Sequence, residues 1–317
     1  MSTILITGGS GFLGKRLGKS LREAGHTVVL TARNNKANML ARNFSGCDVI
    51  AMDVVHIESV RDIVAEVAPD IVIHAAATKF VDVSERYPME AVDVNVTGSQ
   101  NVARVSMEKG VRLVLGISTD KASPPIRNTY GLTKALMERM FVALNGKSGT
   151  RFCVVRYGNV AWSTGSVLCL WKKMADERSI IQTTGPDMYR YFFTVDEAVA
   201  LVRRALDNPE LVAGKVLAAE MKAAQIRSLL DAWGRLSGVG YERIAGRPGE
   251  RDEEYLIGDQ ELPFTTALDL GGIRHYLISF NQRVAEPAVG PISSRHADKL
   301  NDAEMAELIS KPPLEAL

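Results

Sequence analysis

The chain has 317 residues, a length that suggests about two domains, and its 38 Lys and Arg against 37 Asp and Glu leave a net charge of +1. That balance, without a long basic tract, offers no footprint for nucleic acid, and no apolar run approaches the roughly 18 residues of a membrane span. The strand-like segment begun by Thr3 leaves no room for a signal peptide, and the odd, widely spaced Cys47, Cys153 and Cys169 favour neither disulfides nor zinc; a cytoplasmic protein without a metal is expected.

In chain order the first half alternates strands and helices. Thr3–Thr7 reads as a strand, followed by a glycine-rich turn and a helix through Arg22; Thr27–Leu30 and Asp48–Met52 read as the next strands. Ile57–Val67 is an amphipathic helix, Ile71–His74 a fourth strand, and the region around Glu90–Lys109 a long helix. Arg112–Ile117 and Phe152–Arg156 are the fifth and sixth strands, with a helix from Tyr130 to about Leu144 between them. Continuously apolar strands alternating with helices predict a Rossmann-type, doubly wound parallel sheet covered on both faces. After Gly158 turn residues become common, which predicts a division into a dinucleotide-binding domain over 1–160 and a smaller substrate-binding lobe over 161–317, with some late segments returning to the first domain. The ligand cleft is then expected outside the carboxyl ends of the strands. Near the end, Asn301 and Glu304 have the spacing of a capping box ahead of a short helix.

The first turn carries Gly8, Ser10, Gly11, Phe12, Leu13 and Gly14, a Gly-x-x-Gly-x-x-Gly pattern between strand and helix. Glycines there permit a tight turn and close backbone approach, and the helix start offers free N–H groups to a pyrophosphate. At the end of the second strand stands Thr31-Ala32-Arg33-Asn34-Asn35-Lys36, with no carboxylate for a ribose 2′-hydroxyl. Arg33, with Lys36, suits a 2′-phosphate, so NADP is favoured over NAD; a solvated loop arginine is the alternative.

Ser118-Thr119-Asp120-Lys121 is followed nine residues after Lys121 by Tyr130-Gly131-Leu132-Thr133-Lys134. On a helix, Tyr130 and Lys134 share a face, and a nearby ammonium stabilises phenolate, making tyrosine a base for hydride-transfer chemistry. Asp120 and Lys121 add an acid/base pair that simple alcohol oxidation does not need. The bland alternatives are a surface lysine and a turn-capping aspartate.

Together these motifs resemble the extended short-chain dehydrogenase/reductases, and among them the UDP-N-acetylglucosamine 4,6-dehydratases of bacterial polysaccharide biosynthesis. The resemblance spans nearly the whole chain: the Gly8 turn, His74-Ala75-Ala76-Ala77, the Thr119–Ala122 segment, Tyr130–Lys134, Arg156–Val160, Arg247-Pro248-Gly249-Glu250 and Ser293-Ser294. It implies that Asp53 and Val54 line an adenine pocket and Ala75, Ala76 and Ala77 the nicotinamide side. It implies further that Tyr130, with Thr119 on the same oxygen, takes the proton of the sugar 4-hydroxyl, that a neutral Lys121 removes the C5 proton, and that a protonated Asp120 releases the 6-hydroxyl as water, with C5 inversion as the expected course. Lys79, Asn159, Ser166, Arg190, Arg247 and Glu250 are candidate contacts to a nucleotide sugar such as UDP-N-acetylglucosamine. Relatives pack through the helices around Val92–Met107 and Thr129–Leu144, so a homo-oligomer is expected. The chain departs from the pattern at Trp162, where relatives carry glycine, at Thr164 and Cys169, and around Gly185–Arg190, which leaves the sugar and nucleotide open. A 4-epimerase or reductase would share Tyr130 and Lys134 but have no use for Asp120 and Lys121; a non-catalytic NADP-binding regulator would need none of the four.

Overall fold

The computed structural model describes residues 1–246 and 249–313. Six strands follow one another through the first half: β1 (Thr3–Thr7), β2 (Thr27–Ala32), β3 (Asp48–Ala51), β4 (Ile71–His74), β5 (Leu113–Thr119) and β6 (Arg151–Tyr157). They pair in parallel in the order β3-β2-β1-β4-β5-β6. Both faces are covered, so the strand interiors carry apolar side chains at successive positions rather than at alternate ones: Ile4, Leu5 and Ile6 are completely buried, as are Val72, Ile73, Val114 and Leu115. This is the Rossmann-type fold. The strand order reverses between β1 and β4, and at such a switch point the loops at the strand ends part and leave room for a ligand.

Three strands from beyond Val160 complete the main sheet, which has nine strands among the described residues. Val216–Ala219 joins β6 in parallel, Arg274–Ile278 pairs antiparallel with it, and Thr265–Asp269 closes the edge. The remaining segments pack a second core around Trp162, Leu168, Trp171 and Trp233, into which Phe12 of the first turn also inserts. Trp162 adopts φ 58, the left-handed region that bulky side chains avoid. What holds it there is packing: the indole N–H donates to the Leu308 carbonyl at 2.6 Å, and the ring lies 6.1 Å from that of Trp233. The helix Asp302–Ser310 that supplies Leu308 starts with the expected capping box. Asn301 Oδ1 accepts from the Glu304 N–H and Glu304 Oε2 from the Asn301 N–H, both at 2.9 Å.

The long helical region before β5 is interrupted. Between Pro88–Val92 and Gly98–Glu108 lies a π-helical turn, Asp93–Thr97. Such bulges recur at functional sites because they re-aim a side chain, and this one buries Asn95 and turns it toward the cleft wall. Asn95 Oδ1 accepts from the Thr78 N–H at 2.8 Å, while its Nδ2 donates to the Thr78 carbonyl and to Thr133 Oγ1, each at 3.0 Å.

Candidate active site

Above the carboxyl ends of β1, β4, β5 and β6 runs a cleft of about 840 Å³. The turn after β1 forms one end. Gly8 has φ +66, and a Cβ there would lie 2.7 Å from the Ala76 N, so only glycine lets this turn pass against the end of β4. Helix α1 (Phe12–Glu23) begins at Gly11 with no side-chain cap and no acidic residue in its first turn, leaving its N–H groups and positive dipole end for an anion. Ser10, Phe12, Leu13 and Gly14 line the cleft here, as do Asp53, Val54, Ala75, Ala76 and Ala77. This backbone cradle fits the pyrophosphate of a dinucleotide. Arg33 lines the same end, its guanidinium more than half exposed and 4.0 Å from Asp53 Oδ2, with no carboxylate on the loop after β2. Lys36 is not brought to the cleft: it is exposed on the helix Asn35–Ser45, whose start is fixed by Asn34 Oδ1 accepting from the Ala37 N–H.

The middle of the cleft is built by β5 and the helix Thr129–Leu144. Asn128 caps that helix, its Oδ1 accepting from the Gly131 N–H at 2.8 Å, which sets the phase that places Tyr130 and Lys134 on the cleft side. A Cβ at Gly131 would run into the Lys121 carbonyl, so the absence of a side chain lets the helix start rest directly on the Asp120–Ala122 turn. Thr119 and Lys121 line the cleft. Asp120 lies directly behind them with no exposed surface. Its Oδ1 accepts from Thr119 Oγ1 and from Lys121 Nζ, both at 2.9 Å, and Lys121 Nζ also reaches Asn159 Oδ1 at 3.1 Å. Asp120 Oδ2 has no hydrogen-bond partner among the described residues.

Electrostatics in this cluster depart from the sequence expectation in two respects. Burial would lower the Lys121 amine, but the carboxylates of Asp120 and Glu254 outweigh it and hold the ammonium above its usual range. Lys121 is therefore charged in this state rather than neutral. Burial also pushes the Tyr130 phenol up, the Asp120 charge adds to this, and the Thr119 hydrogen bond opposes it. Lys134 does not reverse that balance; burial brings its own ammonium down to about 8, with Glu138 pulling the other way.

The far end of the cleft holds the remaining candidates. Lys79 Nζ donates to the Thr164 carbonyl at 2.7 Å, tying the loop after β4 to the segment ahead of the helix Val167–Arg178. Ser166 is the N-cap residue of the helix Val167–Arg178 and makes no side-chain cap there. Glu250 Oε1 accepts from Thr184 Oγ1 at 2.8 Å. Arg190 lines the cleft but spends its donors on the carbonyls of Tyr189 and Arg251. Arg247 lies outside the described residues. Trp162, although next to two lining residues, turns its ring into the second core and so forms no part of the pocket wall.

Two residues at the site carry no sequence signal that marks them. Asn95 owes its position to the π turn. Glu254 is the last of five consecutive charged residues, Glu250–Glu254, and nothing in that run distinguishes it; the fold alone brings its carboxylate to the cleft, 3.8 Å from Lys121 Nζ.

A glycine cradle at the switch point, a Tyr-x-x-x-Lys helix and a Thr-Asp-Lys turn on one parallel sheet are the hallmarks of an extended short-chain dehydrogenase/reductase. Within that class, the chain belongs to the family described as polysaccharide biosynthesis protein, whose sequence model matches residues 4–270. It is 34% identical over 275 residues to the inverting UDP-N-acetylglucosamine 4,6-dehydratase of Campylobacter jejuni, covering 83% of this chain and 79% of that one. It is 31% identical over 339 residues to the UDP-glucose 4-epimerase of Rickettsia bellii, covering 97% of this chain and 95% of the relative. Among solved structures it superposes on Pen from Bacillus thuringiensis with a TM-score of 0.89 at 26% identity, covering 100% of this chain and 98% of that chain. Among the described residues no helix is long and apolar enough to cross a membrane.

Proposed function

We propose that the protein is a nucleotide-sugar 4,6-dehydratase that acts on UDP-N-acetylglucosamine with NADP and inverts C5. The observation that carries this reading is the Asp120–Lys121 ion pair, 2.9 Å from oxygen to nitrogen, beside Tyr130 and Thr119. Tyr130 and Lys134 suffice for oxidising and reducing an alcohol, whereas removing a C–H proton and expelling a hydroxyl require a further base and acid.

A bound nicotinamide dinucleotide would accept hydride from C4 and return it to C6. Tyr130, whose phenol the positive ring of a bound oxidised nicotinamide would bring down toward phenolate, takes the 4-hydroxyl proton while Thr119 hydrogen-bonds the same oxygen. Once C4 is a ketone, the C5 proton is acidic. One proton transfer across the 2.9 Å bond, from Lys121 Nζ to Asp120 Oδ1, turns the resting ion pair into a neutral amine and a carboxylic acid. The amine then accepts the C5 proton and the acid protonates the departing 6-hydroxyl; when hydride is returned to C6, C5 takes up a proton in its turn, matching the one Tyr130 took from the 4-hydroxyl, so the proton count closes. The cradle at Gly8 supports a dinucleotide, and Arg33, with no competing acidic residue on its loop, supports the 2′-phosphate form. In this reading residues 1–160 hold the dinucleotide and residues 161–317 contribute most contacts to the sugar nucleotide. The UDP-N-acetylglucosamine assignment and the inverting course rest on the Campylobacter relative.

Leu132 and Leu136 stand one turn apart on the Thr129–Leu144 helix and are 58% and 52% exposed, near the exposed Met89 and Val92. An apolar face of this kind supports assembly of two or more copies through these helices.

The Rickettsia relative, matched along almost its full length, favours a second reading as a 4-epimerase. Lys121→Ala separates the two with the purified protein, NADP and UDP-N-acetylglucosamine. A dehydratase loses water release by about 100-fold or more in the variant; an epimerase keeps most of its C4 isomer formation.

A further inference from the structure

Glu254 precedes the strand Tyr255–Ile257 and is 4% exposed. Ser294 grips its backbone from both sides: the Glu254 N–H donates to Ser294 Oγ at 2.9 Å, and the Glu254 carbonyl accepts from the Ser294 N–H at 2.8 Å. Ser294 Oγ in turn donates to the Tyr189 carbonyl at 3.0 Å, locking this corner to the strand Tyr189–Phe193 that carries Arg190. The side chain reaches from this anchorage into the cleft. Its Oε1 lies 3.8 Å from Lys121 Nζ and 3.9 Å from Arg190 Nε, and its Oε2 lies 3.5 Å from Arg251 Nη1. Glu254 Oε2 accepts no hydrogen bond, and neither does Asp120 Oδ2. Two buried carboxylates thus flank one amine, with Asn159 Oδ1 on a third side.

Burying a carboxylate with an unbonded oxygen is costly, and among the described residues the Glu254 carboxylate gains no ordinary hydrogen-bonded partner to offset it. Arg190 and Arg251 balance its charge without closing a short bond. The group it faces across the cleft is Lys121. We infer that Glu254 is a positioning residue that, together with Asp120, holds the Lys121 amine at the cleft surface and fixes its protonation. This rests on the reading of Lys121 as the acid–base group of the proposed dehydration.

The charged groups around Lys121 are Asp120, Glu254 and Arg190, and those around Glu254 are Lys121, Asp120, Arg190 and Arg251. Of the two carboxylates that keep the amine protonated, Asp120 exchanges a proton with it in the reaction while Glu254 keeps its distance. Glu254 therefore sets how readily the resting pair converts into the neutral amine and acid. Replacing its charge with an isosteric amide removes one stabilising neighbour from the ammonium, so Lys121 gives up its proton at lower pH.

The test is a direct titration of Lys121 in the full-length protein, by NMR of isotope-labelled lysine Cε with Lys121→Arg used to assign the signal. Glu254→Gln is expected to move the midpoint down by about one pH unit or more, and Glu254→Asp, which keeps the charge but withdraws it, to move it by less. The limb of the dehydration pH profile governed by Lys121 is expected to shift the same way. An unchanged midpoint in both variants overturns the inference. If Glu254→Gln does not fold, the Glu254→Asp midpoint decides alone: a downward shift supports the inference and no shift overturns it. Failure of the dehydratase reading shows separately, as wild-type protein that titrates normally but releases no water from the substrate.

Discussion

Asp120 and Lys121 are neighbours in sequence, yet their side chains close an ion pair at 2.9 Å, because the long lysine side chain at the cleft wall reaches back from the 3-10 turn Asp120–Ala122 to the carboxylate buried behind it. Thr119 Oγ1 donates to the same Asp120 oxygen. Asp120 is fully buried and Lys121 largely so, so the attraction between them is strong and keeps the resting proton on the amine, one short bond from the carboxylate. A pair of this kind is an expensive ornament in a protein that only binds a dinucleotide. In a dehydratase it is the acid and the base.

The same turn is supported from below by Gly131, whose missing side chain lets the helix start rest on the Lys121 carbonyl. Gly131→Ala, although favourable for helix propensity, must push the turn and the helix apart. Activity is expected to fall by at least about 10-fold through misplacement of Lys121 relative to Tyr130, while dinucleotide affinity changes little because the Gly8 cradle is untouched. Steady-state kinetics together with cofactor titration by fluorescence check this. A variant with wild-type turnover would mean that the two segments are not held in register by this contact.

Arg33 is the cation offered at the end of β2, and its guanidinium is more than half exposed beside Asp53. If it binds a 2′-phosphate, Arg33→Ala is expected to weaken NADP by roughly 10- to 100-fold, the range of one or two charge-assisted hydrogen bonds, and to leave NAD nearly unchanged. Binding isotherms for the two dinucleotides measure the ratio directly. Equal losses for both would assign Arg33 to general backbone support of the loop.

His74 is completely buried at the end of β4, with Nδ1 on Thr7 Oγ1 at 2.8 Å and Nε2 on Ser99 Oγ at 2.9 Å. Burial, reinforced by the Lys134 charge, lowers it to about 3 from an ordinary 6.5. Between those values the unfolded chain binds a proton that the folded one refuses, so stability falls as pH drops through this window and levels off below it. The contribution is at most roughly 5 kcal/mol. Urea unfolding near neutral pH and at about pH 4 is expected to show a smaller acid loss in His74→Gln than in the wild type, even though the variant starts less stable. Equal acid losses would show that His74 is not the group responsible.

What the sequence makes legible depends on how local the cause is. β1 and β4 are read correctly because continuous apolar runs leave no other use for Ile4–Ile6 or Ile71–Ile73. The capping box at Asn301 and Glu304 is local too. The Gly8 turn and the Tyr130 helix are visible because each compresses its chemistry into a few adjacent residues. By contrast, the insertion of Val216–Ala219 beside β6 is decided by chain folding over some sixty residues, as the pairing of Val216 with Val154 shows. Glu254 is invisible for the same reason, since its position depends on Ser294 and Tyr189. The protonation of Lys121 follows from Glu254 as well, and so burial alone suggests the wrong direction for its amine.

The central claim is that the Asp120–Lys121 pair removes the C5 proton and the 6-hydroxyl of a nucleotide sugar. Its most direct test is incubation of the purified protein and catalytic NADP with UDP-N-acetylglucosamine in deuterated water, followed by NMR and mass spectrometry. The account predicts loss of one water, deuterium at C5 of the 4-keto product, and a coupling pattern that reports inversion. A C4 isomer that retains the 6-hydroxyl and carries no deuterium at C5 would contradict it.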